Sequence, residues 1–368
     1  MLRRTTYTIL FVTLLADLYI WLCHLQPFVA WWLSCLWWLP SLLFLAAAYE
    51  FYVRRHYRQW IIRFLFGHLL CLSLPKACFA VVAPLLGWQA GLVIGLAVIA
   101  LAVYGFVCGP RRLKVRHATV SWPSLPPSFS GYRIVHLSDL HLGTLGRHSR
   151  LVDRIVEAVN AEGADLVVFT GDIVNRDASE LSPYIYNLGC MQARDGVYAV
   201  FGNHDFVADV NELSRQLQQA GWHLLRNRCV TLQREGGHIT LVGVDNVSQW
   251  VFASYGNLSA AMQDTEGGTF QVLLSHDPSH WRKEVLDTTD IQLMLSGHTH
   301  AGQLRIGRWS LARLFAHEHW GWYAEGDRRL HVSAGISGTF PFRLGAWPEV
   351  TVITISKASP VPPPQEGG

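Results

Sequence analysis

Apolar and polar positions follow two regimes along this chain, and the regimes meet near residue 110. Up to Cys108 apolar and aromatic residues dominate; from Arg111 onward they recur with the short periods of globular secondary structure. The first regime holds four apolar runs: 7–25, broken only by Asp17; 28–53, rich in Trp and Leu; 61–82, interrupted by Pro75 and Lys76; and 88–108. Each is close to or above the roughly 20 residues that a helix needs to cross the hydrocarbon core. The pattern therefore predicts a membrane anchor of about four transmembrane helices over 1–116. Arg3 and Arg4 ahead of the first run resemble the start of a cleaved signal. No small-residue cleavage site follows and further apolar runs do, so the expectation is an uncleaved anchor.

The second regime opens with Ser121-Trp122-Pro123-Ser124-Leu125-Pro126-Pro127, which reads as part of a stiff linker over 117–130. A short buried strand is predicted at 134–137. Leu151, Ile155, Val156 and Val159 then fall on one helical face before Gly163, which predicts a helix over 150–161. Further strands are predicted at 165–169, 197–201, 270–274 and 291–295, with amphipathic segments at 181–188 and 211–220. Between 222 and 244 short alternating strands turn at Gly236-Gly237. Strands alternating with helices predict an α/β domain over 131–356, followed by a Pro- and Gly-rich disordered tail over 357–368.

Composition agrees with the division. Half of the residues are hydrophobic and only 15% are charged, against roughly a quarter in an average soluble protein. A net charge of +3 gives no reason to expect a nucleic-acid partner. The seven cysteines, an odd number with no CxxC, argue against a disulfide framework and fit a reducing compartment. Arg3 and Arg4, then Arg54, Arg55, Arg58 and Arg63, then Arg111, Arg112, Lys114 and Arg116 flank the runs, while the connections at Gln26-Pro27 and 84–87 carry no Lys or Arg. With four spans all three basic groups lie on one side, which the positive-inside rule makes cytoplasmic; an odd number of spans breaks that agreement.

Candidate chemistry gathers directly after the predicted strands, the usual place for a site in an open α/β sheet. Asp139 and His141 follow the first strand, and two residues apart on an extended segment they point the same way, toward one ion. Asp172 follows the second, Asn203, His204 and Asp205 the third, His276 the fourth, and His298 and His300 the fifth. Singly these are a helix cap, a turn residue or a surface histidine. Five such groups directly behind five buried strands are improbable as independent accidents.

The blocks Asp139-Leu140-His141, Gly171-Asp172, Gly202-Asn203-His204-Asp205, His276 and Gly297-His298-Thr299-His300 resemble, in order, the motifs of the calcineurin-like metallophosphoesterases. The resemblance covers 131–355 and implies a four-layer α-β-β-α sandwich with a two-metal site at the strand ends. It implies one metal on Asp139, His141, Asp172 and His300, and a second, bridged by Asp172, on Asn203, His276 and His298. His204 resembles the family's catalytic histidine, with Asp205 beside it to orient it. Imidazole and carboxylate donors suit Mn, Fe, Zn or Co better than Ca, and a two-metal clamp activates water and neutralises phosphoryl oxygens.

The multi-span N-terminus, Leu125-Pro126-Pro127, the block 297–303, Pro341-Phe342-Arg343 and Trp347-Pro348-Glu349 resemble the membrane-anchored bacterial branch. Some members of that branch are pyrophosphatases of UDP-2,3-diacylglucosamine in lipid A synthesis. Ala301 departs from a usual second glycine, and Arg343 is a candidate phosphate contact. The function implied is phosphodiester or pyrophosphate hydrolysis dependent on two divalent metals, at the cytoplasmic face of the cell membrane. The partners implied are the bilayer and a phosphorylated small-molecule or lipid-linked substrate. The alternatives are a phosphoprotein phosphatase, or a membrane sensor or scaffold with a metal-loaded binding domain.

Overall fold

The computed structural model describes residues 2–26, 28–146, 149–248 and 253–358. It divides into two compact units, Met1–Cys108 with Thr339–Leu344, and Gly109–Gly338 with Gly345–Gly368. Of the expected tail, Lys357 closes the last strand and 359–368 lie outside the described residues.

In the first unit three stretches are long and apolar enough to cross a membrane, Thr8–Leu25, Gln59–Leu86 and Trp88–Arg111. Among the described residues, three candidate spans thus stand against the expected four. The run over 28–53 does form a helix, Trp31–Tyr52, but the side chains at 31, 34 and 35 lie outside the described residues. Pro75 does not break its span as expected. A proline has no N–H and crowds the carbonyl four residues back. Here the wider π turn Leu69–Ser73, in which the Leu74 N–H reaches the Leu69 carbonyl, absorbs the defect between helices Gln59–His68 and Leu74–Leu86. Asp17 and Lys76 form an ion pair at 2.6 Å, and the Asp17 carboxylate, fully buried, also accepts from the Ser41 hydroxyl.

The second unit is a mixed α/β fold around two six-stranded sheets. The first runs Lys114–Trp122, Glu349–Lys357, Tyr132–Leu137, Leu166–Thr170, Val197–Val200, His223–Leu224. The second runs Gly321–Glu325, Arg328–Val332, Leu293–Ser296, Phe270–Leu274, Gly237–Gly243, Arg228–Arg234. Because side chains alternate across a strand, each buried strand feeds two cores. Ile134, Leu166, Val168 and Ile353 from the first sheet meet Leu241, Val272, Leu274 and Leu295 from the second in one core. Val135, Leu137, Val167 and Phe169 face the opposite way, onto Val152, Ile155 and Val159 of helix Arg150–Ala161 and Leu213 and Leu217 of helix Val210–Gln219. Val242, Leu273 and Met294 pack with Leu258, Trp281 and Val285 in a third core.

The linker expected over 117–130 is largely structure. Lys114–Trp122 is a nine-residue strand, parallel to Glu349–Lys357 along its whole length, and Pro127–Phe129 is a 3-10 turn. The prolines that suggested a linker lie just after the strand. Its half-exposed, polar-rich alternation carries little hydrophobic signal of its own. The predicted amphipathic helix over 181–188 is likewise broken into short turns and the helix Ile185–Gly189 around Pro183.

Two runs of parallel pairing matter for the site. Tyr132–Leu137, Leu166–Thr170 and Val197–Val200 are mutually parallel, so the segments after them share one sheet edge. Gly237–Gly243, Phe270–Leu274 and Leu293–Ser296 do the same in the other sheet.

Candidate metal centre

Those two edges converge. Ligand atoms gather in three groups, Asp139, His141 and His300; His141, Asp172 and His204; Asp172, His276 and His298, each with all atoms within 4.8 Å of one another. His141 Nε2 lies 4.0 Å from Asp139 Oδ1 and 3.6 Å from Asp172 Oδ2, and His300 Nε2 lies 3.6 Å from Asp139 Oδ1. On the other side His276 Nε2 lies 3.2 Å from Asp172 Oδ2 and 3.2 Å from Asn203 Oδ1, with His298 Nδ1 at 3.1 Å from the same nitrogen. The structure therefore brings all seven expected ligands together, with Asp172 standing between two sets.

The backbone that holds them is strained. Nine described residues other than glycine have positive φ, and five are Asp139 (55°), His141 (45°), Asp172 (56°), His298 (72°) and His300 (52°). The left-handed region costs an L-residue roughly 1–2 kcal/mol, and such outliers cluster where function over-determines geometry. Adjacent loops lock the arrangement: the Asp139 N–H donates to the Gly171 carbonyl at 2.9 Å and the His141 N–H to the Asp172 carbonyl at 3.1 Å. Ala301, with φ of 50°, accepts the same strain one residue after His300. Gly202 and Gly297 have a different reason to be glycine. A Cβ on Gly297 would run into Ser138 Oγ and Asp139 Oδ2, and one on Gly202 into Asp172 Oδ1.

Carbonyls set the histidine tautomers. His276 Nδ1 is 2.7 Å from the Thr170 carbonyl, which can only accept, so Nδ1 carries the proton and Nε2 faces the carboxylates. His204 Nδ1 is likewise 2.9 Å from the Asn175 carbonyl, and the His204 backbone N–H donates to Asp172 Oδ1 at 2.8 Å.

Asp205, expected to orient His204, does something else. Its Oδ2 accepts from the N–H groups of Gly202 (2.9 Å) and Asp172 (2.8 Å), and its Oδ1 from Ile173 (2.9 Å) and Val174 (3.2 Å). The orienting contact to His204 comes from Asn175 instead, and Asp205 ties the loop that carries Asp172 to the loop that carries Asn203. Asp205→Ala leaves four N–H groups in a fully buried place, each lost partner costing about 1–3 kcal/mol before relaxation. The expected outcome is a loss of roughly 2–3 kcal/mol in stability, read from the unfolding temperature of the metal-loaded full chain. An unchanged midpoint would remove this role.

The electrostatics favour cations. Burial pushes the Asp139 carboxyl up to about 6, helped by Asp172. Burial opposes the Asp172 carboxylate too, yet the imidazoles of His276, His204 and His141 hold it well below the usual carboxylate range. His276, which burial alone would lower, is raised to about 10 chiefly by Asp172. Burial pushes Asp205 up to about 7, with Asp172 adding to it and the backbone donors opposing. The negative charge that holds a proton on His276 is the charge that would hold a divalent cation, with release of that proton. Buried imidazole, carboxylate and amide donors fit divalent transition metals.

The candidate phosphate contact Arg343 lies in the other compact unit. It is buried, and Thr339–Leu344 belongs to the helical unit, where the Arg343 N–H donates to the Gly105 carbonyl at 2.9 Å. Thr170 and Asn175 are functional residues that sequence reasoning missed. Both act through backbone carbonyls, for which side-chain identity carries no signal.

Comparison with known proteins agrees with this geometry. The family model for calcineurin-like phosphoesterases matches residues 132–302. The chain is 32% identical over 306 residues to a "Transmembrane protein with metallophosphoesterase domain" of Bos taurus, covering 74% of this chain and 68% of that one. It is 34% identical over 269 residues to the protein of the same name in Danio rerio, covering 70% and 61%. An uncharacterized metallophosphoesterase of Bacillus subtilis is 28% identical over 261 residues, covering 66% and 90%. The chain belongs to the calcineurin-like phosphoesterases, metal-dependent hydrolases of phosphoric esters.

Proposed function

We propose that the protein hydrolyses phosphodiester or pyrophosphate bonds with two metal ions at the cytoplasmic face of the cell membrane, on a lipid- or nucleotide-linked substrate such as UDP-2,3-diacylglucosamine. The observation that carries the two-metal reading is Asp172 Oδ2, one carboxylate oxygen 3.6 Å from His141 Nε2 and 3.2 Å from His276 Nε2. Asp139, His141, Asp172 and His300 would hold one ion, and Asp172, Asn203, His276 and His298 the other. When bound, the pair supplies Lewis acidity to the phosphoryl oxygens and a nucleophilic water at neutral pH. His204 supplies what remains. With Nδ1–H donating to the Asn175 carbonyl, its Nε2 is the nitrogen that meets substrate, and as the imidazolium it would donate a hydrogen bond to a phosphoryl oxygen or a proton to the leaving group.

The cytoplasmic face is supported by charge, even with three spans. Arg54, Arg55 and Arg58 then lie on the same side as Arg111, Arg112, Lys114 and Arg116, leaving only Arg3 and Arg4 opposite. Apolar spans in the same chain also suit a substrate that stays in the bilayer.

The test is hydrolysis by the full chain in lipid nanodiscs with Mn, offered UDP-2,3-diacylglucosamine, a water-soluble nucleotide diester and a phosphopeptide. The expected result is turnover of the first two, with His204→Ala lowering kcat about a hundred-fold or more while metal content is kept. Preference for the phosphopeptide would make the protein a phosphoprotein phosphatase. Metal binding without hydrolysis of any of the three would make it a sensor or scaffold.

A further inference from the structure

Large apolar side chains that stand in solvent are thinly scattered over the described globular unit except in one stretch. Val115, Tyr186, Val207 and Tyr255 are far apart in the chain, whereas Ile306, Trp309, Leu314, Phe315 and Trp322 fall within 306–322. Ile306 and Leu314 are each 70% exposed and Phe315 57%. The stretch is nevertheless tightly built. Arg305–Ile306 pairs with Trp309–Ser310 in a hairpin that turns at Gly307-Arg308, and Leu311–Leu314 continues as a 3-10 turn. Ser310 and Ala312 are fully buried, the Leu311 N–H donates to the Leu304 carbonyl at 3.0 Å, and Ser310 Oγ is 2.9 Å from His319 Nδ1. A Cβ on Gly302, two residues after His300, would run into the Ala312 amide, so the hairpin is seated on the turn that carries His300.

The same stretch is cationic. Arg308 and Arg313 border a cleft of about 600 Å³ with Arg116, His319, Trp320 and Trp322. Neither Arg308 nor Arg313 makes an ion pair among the described residues. The carboxylates nearby are already taken, Glu349 by Arg116 and Glu318 by Arg282, both at 2.5 Å. Exposed apolar tips beside unpaired arginines and tryptophans are the chemistry of a membrane interface. The tips enter the headgroup boundary, the arginines meet anionic headgroups, and the indoles sit at the level between. A protein partner would need neither this charge nor a bilayer nearby, and the candidate spans of this chain supply the bilayer.

We propose that Ile306, Trp309, Leu314 and Phe315, with Arg308 and Arg313, form a contact for an anionic lipid surface that takes headgroup phosphates in the adjoining cleft and lays the His300 edge of the site against the bilayer. This deepens the proposed membrane-face hydrolysis by naming the lipid surface, rather than bulk water, as the source of substrate. The test does not need turnover, so its failure is separable from failure of that reading.

The experiment is amide hydrogen exchange on the full chain in nanodiscs of phosphatidylcholine alone and of phosphatidylcholine mixed with phosphatidylglycerol. Exchange over 305–316 is expected to slow on the anionic discs. Each arginine near the surface contributes about 1 kcal/mol, or about five-fold. Arg308→Glu with Arg313→Glu should abolish the difference, and Leu314→Asp with Phe315→Asp should abolish it without altering the cleft. Hydrolysis of a water-soluble diester should be unchanged in both variants. Equal exchange on the two disc types would overturn the proposal, as would protection that follows protein concentration rather than lipid charge, which would mark a contact with a second copy.

Discussion

Asp172→Ala is expected to lower kcat/KM for any phosphodiester by roughly a thousand-fold or more, and to strip metal from the purified chain. The carboxylate is 1% exposed and its Oδ2 lies within 3.6 Å of an imidazole from each ligand set. Its removal takes a donor from both sets and leaves His276 without the charge that raises it. The His204 N–H also loses its 2.8 Å acceptor on Asp172 Oδ1, so the residue proposed to meet the phosphoryl group is expected to loosen as well. Asp172→Asn keeps the shape but not the charge, and should fall between wild type and alanine. Metal content by inductively coupled plasma mass spectrometry beside kcat/KM at saturating Mn decides the matter. Full metal content with near-normal turnover in Asp172→Ala would sink the two-metal assignment.

Lys76→Met is expected to destabilise the helical unit by about 3–5 kcal/mol, the usual consequence of leaving one member of a buried ion pair alone. Asp17 is fully buried and holds Lys76 Nζ at 2.6 Å, and the ammonium lies 4.2 Å from the centre of the Trp37 ring. Without the lysine the carboxylate keeps, among the described residues, only the Ser41 hydroxyl. A double replacement, Asp17→Leu with Lys76→Met, should recover most of the loss, since apolar residues of similar size can replace a buried pair at little cost. Unfolding temperatures of the two variants in detergent give the comparison. A single variant as stable as wild type would show that the pair does not hold these helices together.

The site was largely legible because its ligands follow short, fully buried strands whose apolar runs stand out from their neighbours. Leu166–Thr170 and Phe270–Leu274 are buried at every position, so Asp172 and His276 stand out behind them as candidates, and the family resemblance supplies their expected role as ligands. Helix Arg150–Ala161 was legible for a related reason, with one face buried and Ser149 capping its first turn. What escaped was whatever depends on backbone rather than side chain. The positive φ values of Asp139, His141, Asp172, His298 and His300 have no glycine to announce them, and the Asn175 carbonyl that fixes His204 could have belonged to any residue. Asp205 was placed correctly by its neighbours but given the wrong partner, because a carboxylate beside a histidine suggests a pair, whereas this carboxylate accepts from four backbone amides. The strand Lys114–Trp122 was divided between the end of the anchor and the expected linker over 117–130 because it borrows its order from a strand more than 200 residues away in the chain.

That pairing also sets an order of events during synthesis. Glu349–Lys357 is not an edge of its sheet but lies between Lys114–Trp122 and Tyr132–Leu137, parallel to one and antiparallel to the other. A ribosome making this chain therefore releases both neighbours long before the strand that fills the gap between them. Until residue 357 has emerged, Val115 to Val120 and Ile134 to His136 have open ladders facing each other, and the sheet bearing Asp139 and Asp172 lacks an interior strand. Non-local pairing of this kind folds slowly and exposes edges meanwhile. Completion of the sheet beneath the metal centre then waits on its last strand instead of proceeding as each ligand appears.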